Sequence, residues 1–381
     1  MEPGDPGTEG DRRGRSSRFR RPVSLITRVL ALSAAVTVLL AAGWGYTVVR
    51  RTDEGIAARG ISALVPDDPN IVRPAPSAPS GQDPARPADG TTPVGQGATG
   101  AGDPENILVL GLDTRPPAEA SATGGTSQSD VIMIAHVSGD RQRVDVLSIP
   151  RDTRIDAPTC KEWDYASGAL SDHDFANTYP HWKITNAYAV GGPQCTVRAV
   201  QALTGLPIHR VIVLDFAGFA AIVDTLGGVQ MSFAAPVIDG GVPVIDHAGT
   251  QVVSGEQALR LVRARHVAGD PAGDLGRIAR QQQVLTALLA QAVGSGLLLD
   301  PQRLDRTLQV VVANTATDNV TVDDLANLAQ SLRGTGSGQV AFHTLPTVPD
   351  PGSEFLLPAE GDAAIFDALV NDREYPTAPG S

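Results

Sequence analysis

An α/β fold, with helices covering a mixed β-sheet, is predicted for residues 104–375. Three observations carry the prediction. Short runs rich in Val, Ile and Leu recur at 106–112, 131–137, 143–149, 210–215, 229–233 and 340–345, each of strand length. Segments of helical spacing alternate with them at 196–204, 216–226, 254–262, 276–293, 322–332 and 363–370. Glycines punctuate the series, Gly205 after one helix and Gly227-Gly228 after another.

Taken in order, the first run (NILVLGL) is apolar on both faces, as a strand in the middle of a covered sheet must be. Residues 114–129 are rich in Gly, Ser, Thr and Pro and read as a loop. The next two runs flank Ser138-Gly139-Asp140-Arg141-Gln142, a hairpin signal. Helix 254–262 opens on Ser254 and Gln257 at capping-box spacing. Residues 376–381 read as a frayed tail.

Ahead of the domain the chain changes character three times. Residues 1–28 form a basic tail, with seven Arg and no acid over 12–28. Residues 29–49 then run without a charge. At about 1.5 Å per residue they reach about 31 Å, enough for one transmembrane helix. The Arg excess on the N-terminal side predicts a cytoplasmic N-terminus and an extracytoplasmic domain on a single-pass anchor in the cell membrane. Residues 50–103 are rich in Pro, Gly, Ala, Ser and Asp and read as a disordered spacer.

The 381 residues carry a formal net charge of −12. Seven Arg and four acids before residue 29 net +3, which leaves −15 for the rest. So acidic a chain, with 4 % aromatic residues, is a poor nucleic-acid binder. Two cysteines exclude a zinc finger, an iron–sulfur cluster and a disulfide-dense scaffold. Outside the cytoplasm Cys160 and Cys195 are expected to pair. The alternative is two buried thiols.

The chemistry-bearing residues are acids and arginines. Asp113 follows the first strand and Asp130 begins the second. Two carboxylates at strand edges suit a divalent cation completed by water and phosphate oxygens, and they also suit turns and caps. Arg151 and Asp152 end the third strand, in SIPRDTR. Arg263 and Arg265 stand one residue apart after a helix, in LVRARH. Asp274, Arg277 and Gln281 lie in DLGRIARQQQ, where Arg277 and Gln281 share a helix face. Arginine forks suit phosphate oxygens, so the pattern points to a phosphate-bearing anion. Phe216, Phe219, Ile222 and Val223 read as core, with the lining of a lipid groove as the alternative.

Seven motifs stand in order: NILVLGLDTR, SDVIMIAHV, VLSIPRDTR, KITNAYAVGGP, VIVLDFAGFAAIVDTLGGV, GTQVVSGEQALRLVRARH and DLGRIARQQQ. Over about residues 105–293 the set resembles the LytR–CpsA–Psr family. GDP at 269–271 and the cysteine pair resemble its actinobacterial members. The resemblance implies a three-layer α/β/α sandwich with a lipid-filled apolar groove. It implies transfer of a glycopolymer, arabinogalactan in a mycobacteria-like source, from a polyprenyl-pyrophosphate carrier to the muramic acid 6-hydroxyl of peptidoglycan. Asp113 and Asp130 match Mg²⁺-associated acids (Mn²⁺ being the substitute). Arg151, Arg263, Arg265, Arg277 and Gln281 match pyrophosphate-contacting positions, and Lys183 a further polar position. Members often carry Arg where this chain has Gln128, so Arg115 or Arg154 is the expected replacement contact. Asp152 and Asp274 are the candidates to take the acceptor's proton. The alternative to a transferase is a non-catalytic prenyl-phosphate-binding wall protein, or a prenyl pyrophosphatase.

Overall fold

The computed structural model describes residues 45–64, 102–113, 128–165, 167–270, 274–294, 296–297, 300–325 and 340–376. The basic tail, most of the expected membrane span, residues 65–101 of the spacer, Arg115, the end of the 322–332 helix and residues 377–381 lie outside them. Among the described residues no helix is long and apolar enough to cross a membrane.

The strands are β1 (Glu105–Leu112), β2 (Ser129–Val137), β3 (Val144–Ser148), β4 (Arg154–Asp156), β5 (Lys161–Asp164), β6 (Ala169–Asp174), β7 (His181–Lys183), β8 (Arg210–Asp215), β9 (Val229–Phe233), β10 (Val237–Asp239), β11 (Val242–Ile245), β12 (Gly249–Val253), β13 (Thr315–Asp318), β14 (Val340–Thr344), β15 (Thr347–Pro349) and β16 (Leu356–Pro358). The helices are α1 (Thr185–Thr204), α2 (Phe216–Thr225), α3 (Gly255–Arg263), α4 (Leu275–Gly294), α5 (Pro301–Asn314) and α6 (Asp362–Val370).

Six strands form one mixed sheet in the order β13-β8-β1-β2-β3-β14. β1–β8 and β3–β14 are parallel; the other three pairings are antiparallel. Both faces are covered, as the apolar runs require. On one face Leu108, Leu110, Ile132 and Ile134 pack with Val197 and Val200 of α1 and Phe366 and Leu369 of α6. On the other, Ile107, Met133, Val137 and Val146 meet Leu285 of α4. A second core joins α2, α3 and α4 to β9, β11 and β12 through Phe219, Val223, Val253, Leu261 and Val284. Phe219 and Val223 are therefore core.

Local chemistry explains the element ends. Ser254 caps α3 with the complete capping box its spacing predicts. Gly205 closes α1 at φ 69°. α1 begins at Thr185, eleven residues before the predicted start, because it bends and continues through Gly191, Gly192 and Pro193. At Gly192 (φ 60°) a Cβ would strike the Trp163 ring, so the bend needs glycine. Sequence periodicity also missed α5, whose signal is the Asp300-Pro301 start: Asp300 accepts from the backbone N–H of Gln302 and Arg303.

The spacer prediction is corrected at its N-terminal end. Residues 50–58 are helical, and the chain then pairs with β13. Ala63 and Leu64 donate their N–H groups to Asp318 at 2.8 and 2.6 Å, and Ala63 is fully buried. The charges of Arg50, Arg51, Asp53 and Glu54 hid the few apolar residues that anchor it.

Cys160 and Cys195 form a disulfide that ties the start of β5 to α1 across 35 residues. In the loop-entropy account such a closure contributes roughly 3–4 kcal/mol. The Cys160→Ser/Cys195→Ser pair is expected to lower Tm by roughly 5–12 °C in a thermal melt. An unchanged Tm would show that α1 packing alone holds this corner.

Candidate functional site

Sheet topology brings the acids and arginines together. β1 and β8 run parallel, and Leu112 faces Asp215 at their carboxyl ends. Antiparallel β2 starts at that same edge, with Leu112 facing Ser129 and the Asp113 N–H donating to the Gln128 carbonyl. Asp113 and Asp130 thus meet beside one strand end, where α/β sheets place their ligands. β3 ends at Ser148, so Arg151 and Asp152 sit not on the strand but in the turn after it. The Thr153 N–H and hydroxyl both donate to the Pro150 carbonyl there, at 3.0 and 2.7 Å.

Asp130 is the centre. One oxygen accepts from Arg151 at 2.6 Å. The other accepts from Arg265 at 3.1 Å and lies 3.7 Å from Arg277. Arg277 also pairs with Asp274 at 2.6 Å, one turn earlier in the chain. Arg263 reaches Asp113 at 2.9 Å, its guanidinium 5.3 Å from the centre of the Phe216 ring. Lys183 pairs with Asp152 at 3.1 Å and Glu354 at 3.2 Å. Arg154 pairs with Asp350 at 3.2 Å. Gln281 is buried and donates to the Val262 carbonyl at 3.2 Å, bracing the end of α3 rather than joining the charge cluster. Gln128 stands exposed at the head of β2. Arg115 is outside the described residues.

Arg263 is the last residue of α3 rather than a residue beyond it. Ala264 is extended, so the chain turns there and presents Arg265 to Asp130. Two elements fix that turn. Asp239 of β10 accepts the Arg265 and His266 N–H groups at 3.0 and 2.7 Å. Arg280 of α4 donates to the Leu261 and Ala264 carbonyls and pairs with Asp270. Neither contact had a sequence signal, because each joins segments whose packing only the fold decides.

Asp113, Asp130, Asp152, Asp274 and Glu354 face Arg151, Lys183, Arg263, Arg265 and Arg277, so the cluster balances five acids against five cations. Burial raises the Asp274 carboxyl above the ordinary aspartate range, against the pull of Arg277 and Arg151. Burial lowers Arg277, though a guanidinium stays charged. Burial is the largest single influence on Arg151 and acts downward, but the Asp130, Asp274 and Asp152 carboxylates together outweigh it and the net direction is up. Ser129 Oγ, Arg151 Nε, Arg277 Nε and Asp274 Oδ2 are buried without a hydrogen-bond partner. Among the described residues the unpaired donors here, the Nε–H groups of Arg151 and Arg277 and the Ser129 hydroxyl, suit an oxygen-rich anion.

Among the described residues no group of three or more His, Cys, Asp or Glu could hold a metal ion. Asp113 and Asp130 supply two carboxylates at this edge, the number Mg²⁺ or Mn²⁺ commonly takes, and in this structure both face arginines. Beside the cluster lies a cavity of about 260 Å³. Met231, Phe233, Leu261 and Val284 line it, with Asp270 and Arg280 as its charged groups. Phe216, Phe219, Ile222 and Val223 of α2 do not line this cavity.

The LytR_cpsA_psr family model matches residues 82–361. The chain belongs to this family. It is 32 % identical over 291 residues to the probable cell wall biosynthesis protein LcpB of Corynebacterium glutamicum, covering 73 % of this chain and 63 % of that one. It is 30 % identical over 192 residues to the polyisoprenyl-teichoic acid–peptidoglycan teichoic acid transferase TagU of Halalkalibacterium halodurans, covering 50 % and 54 %. The LytR-Csp2A-Psr enzyme of Actinomyces oris superposes with a TM-score of 0.53 at 25 % identity, covering 70 % of this chain and 89 % of that one. The chain spans less than two thirds of the length of the two curated relatives. As a LytR–CpsA–Psr member it has the mixed α/β sheet architecture of that family, with the arginine cluster at the carboxyl edge of the sheet.

Proposed function

We propose that this LytR–CpsA–Psr domain transfers a glycopolymer from a polyprenyl-pyrophosphate carrier to the muramic acid 6-hydroxyl of peptidoglycan. The polymer is arabinogalactan-like, in keeping with the actinobacterial relatives. The observation that carries the reading is the convergence of Arg151, Arg265 and Arg277 on Asp130, with Arg263 alongside on Asp113. The names of TagU, as a teichoic acid transferase, and LcpB, as a wall biosynthesis protein, support it. The anchor at 29–49 would hold the domain on the outer face of the cell membrane, beside a substrate that is itself membrane-bound.

Phosphoryl transfer is mostly positioning and charge neutralisation. The four arginines bind the pyrophosphate oxygens and meet the charge that develops on them. The acceptor hydroxyl oxygen attacks the phosphorus that bears the glycan. The bond from that phosphorus to the bridging oxygen breaks, and polyprenyl phosphate leaves with the electron pair. Asp152 takes the hydroxyl proton; its side chain is 24 % exposed, against 9 % for Asp274. Asp274 holds Arg277 in place. Asp113 and Asp130 would hold Mg²⁺ or Mn²⁺, which when bound supplies further neutralisation at the phosphates.

The test uses the full chain in detergent, a short-chain prenyl-pyrophosphate sugar and peptidoglycan fragments, with products read by mass spectrometry. A muramic acid phosphodiester is expected with Mg²⁺. Asp152→Asn is expected to lower kcat by about 10²–10⁴ with donor KM held. Intact donor that co-purifies without turnover would replace the transferase by a carrier.

A further inference from the structure

β4 and β7 form a two-stranded ribbon with two unlike faces. Ile155 and Trp182 are opposite one another and buried in the main core. Strand alternation puts Arg154, Asp156, His181 and Lys183 on the other face. That face is polar and open: Arg154 pairs with Lys183 in register, and Asp156 with His181. His181 Nδ1 lies 3.1 Å from the Asp156 carboxylate, and both side chains are largely exposed. The ribbon starts at the reaction centre, since Lys183 Nζ is 3.1 Å from Asp152.

Two residues before His181 stands Tyr179, 70 % exposed, the most exposed large apolar side chain among the described residues. Its loop is nonetheless built firmly. Asn177 Oδ1 accepts from the Tyr179 N–H at 3.0 Å and from the buried Trp182 indole at 3.1 Å. The Pro180 carbonyl accepts from Ala157, and the Phe175 N–H donates to the carbonyl of disulfide-linked Cys160. The Phe175 ring packs edge-on against Trp182 at 5.9 Å. The ring therefore stands out to solvent on a braced loop, an aromatic platform beside the polar face of the ribbon.

Resting on the transferase reading, we propose that the outer face of the β4–β7 ribbon binds the acceptor, a glycan chain of alternating N-acetylated aminosugars, with Tyr179 stacking on one sugar ring and Asp156, His181 and Arg154 holding its hydroxyl and amide groups. Three features select this occupant. The ribbon adjoins the reaction centre through Lys183 and Asp152, and the apolar cavity beside the arginines is lined from β9, α3, α4 and their neighbours, with no residue of β4 or β7. From Lys183 to His181 the strand runs about 7 Å, and Tyr179 stands beyond the bend at Pro180. Pyranose rings present an apolar C–H face and a hydroxyl edge, which an aromatic platform flanked by charged hydrogen-bonding side chains matches. A glycan lying there would bring a 6-hydroxyl to Asp152, on the side away from the leaving lipid.

The experiment uses the full chain, a short-chain prenyl-pyrophosphate donor and, as acceptor probe, the soluble tetrasaccharide of alternating N-acetylglucosamine and N-acetylmuramic acid. Tyr179→Ala is expected to raise the tetrasaccharide KM by about tenfold with donor KM unchanged, and Tyr179→Phe to restore it. His181→Ala is expected to raise the same KM severalfold, as loss of one hydrogen-bonding partner does. Calorimetric titration of the tetrasaccharide onto donor-free protein should weaken in parallel. A Tyr179→Ala protein with wild-type KM and wild-type binding overturns the ribbon assignment and leaves the transferase standing. Wild-type protein that forms no phosphodiester overturns the transferase, and the titration then decides the ribbon alone: binding lost in Tyr179→Ala upholds it, and no binding by wild type sinks it.

Discussion

Arg265→Ala is expected to reduce transfer by about 10²–10³ in single-turnover rate while the thermal melt stays close to wild type. The rate loss is that of removing one preorganised donor from the charge developing in the transition state. The small stability effect follows from exposure: the Arg265 side chain is 44 % exposed, and the backbone turn that presents it is held by Asp239 whatever the side chain is. Asp130 keeps Arg151 and Arg277 when Arg265 is removed, so the loss is that of one half-exposed pair, about 1 kcal/mol. Arg277 offers the contrast. It is 2 % exposed and paired to Asp274 at 2.6 Å. Arg277→Ala leaves a buried carboxylate uncompensated, at a cost of roughly 3–5 kcal/mol, so its lost activity would say little about chemistry. Arg265→Lys sharpens the reading further. It keeps the charge and loses the planar fork, so an intermediate rate is expected. An Arg265→Ala protein turning over within threefold of wild type would show that Asp130, not the substrate, is this arginine's real partner.

What could be read from the sequence divides along a physical line. The central strands, α4 and the second half of α1 were legible, because a sheet covered on both faces forces continuous apolar runs and covering helices force a 3.6-residue period. β8 and β9 fall on their predicted residues, and α3 on its predicted cap. The short ribbons β4–β7, β5–β6 and β10–β11 were not legible. Each has only three to six residues per strand, too few for a period to develop. Residues 50–64 were misread because the pairing that orders them is made with β13, more than 250 residues away. In the site, Asp113, Asp130, Arg151 and Arg265 were chosen for their position at element ends, and topology does bring those ends together. The supports Asp239 and Arg280 were invisible, since an aspartate that accepts two backbone N–H groups from a distant turn looks in sequence like any hairpin aspartate.

Asp130→Asn is the substitution from which the largest combined effect is expected. The carboxylate is buried, and each of its oxygens faces at least one guanidinium. Asparagine fits the same volume but presents an amide N–H₂ toward Arg151 or Arg265 and removes the one charge those arginines share. Breaking a buried pair by neutralising one partner costs roughly 3–5 kcal/mol. A Tm drop of roughly 6–15 °C should follow for a domain of this size. Transfer should fall below detection, because the arginines lose their common anchor and one of the two carboxylates suited to Mg²⁺ is gone. A third consequence separates this account from simple damage to the core. Asp130 accepts hydrogen bonds from Arg151 and Arg265 that a phosphate oxygen can accept once the carboxylate is neutral. Once it is neutral, inorganic pyrophosphate should bind the vacated cations more tightly and raise the variant's Tm more than it raises that of wild type, since a ligand stabilises by RT ln(1 + [L]/Kd). The measurement is a thermal melt of both proteins over a pyrophosphate series without Mg²⁺. Equal shifts in the two would mean that the guanidiniums are held for Asp130 alone, and the anion site would have to lie elsewhere on the domain.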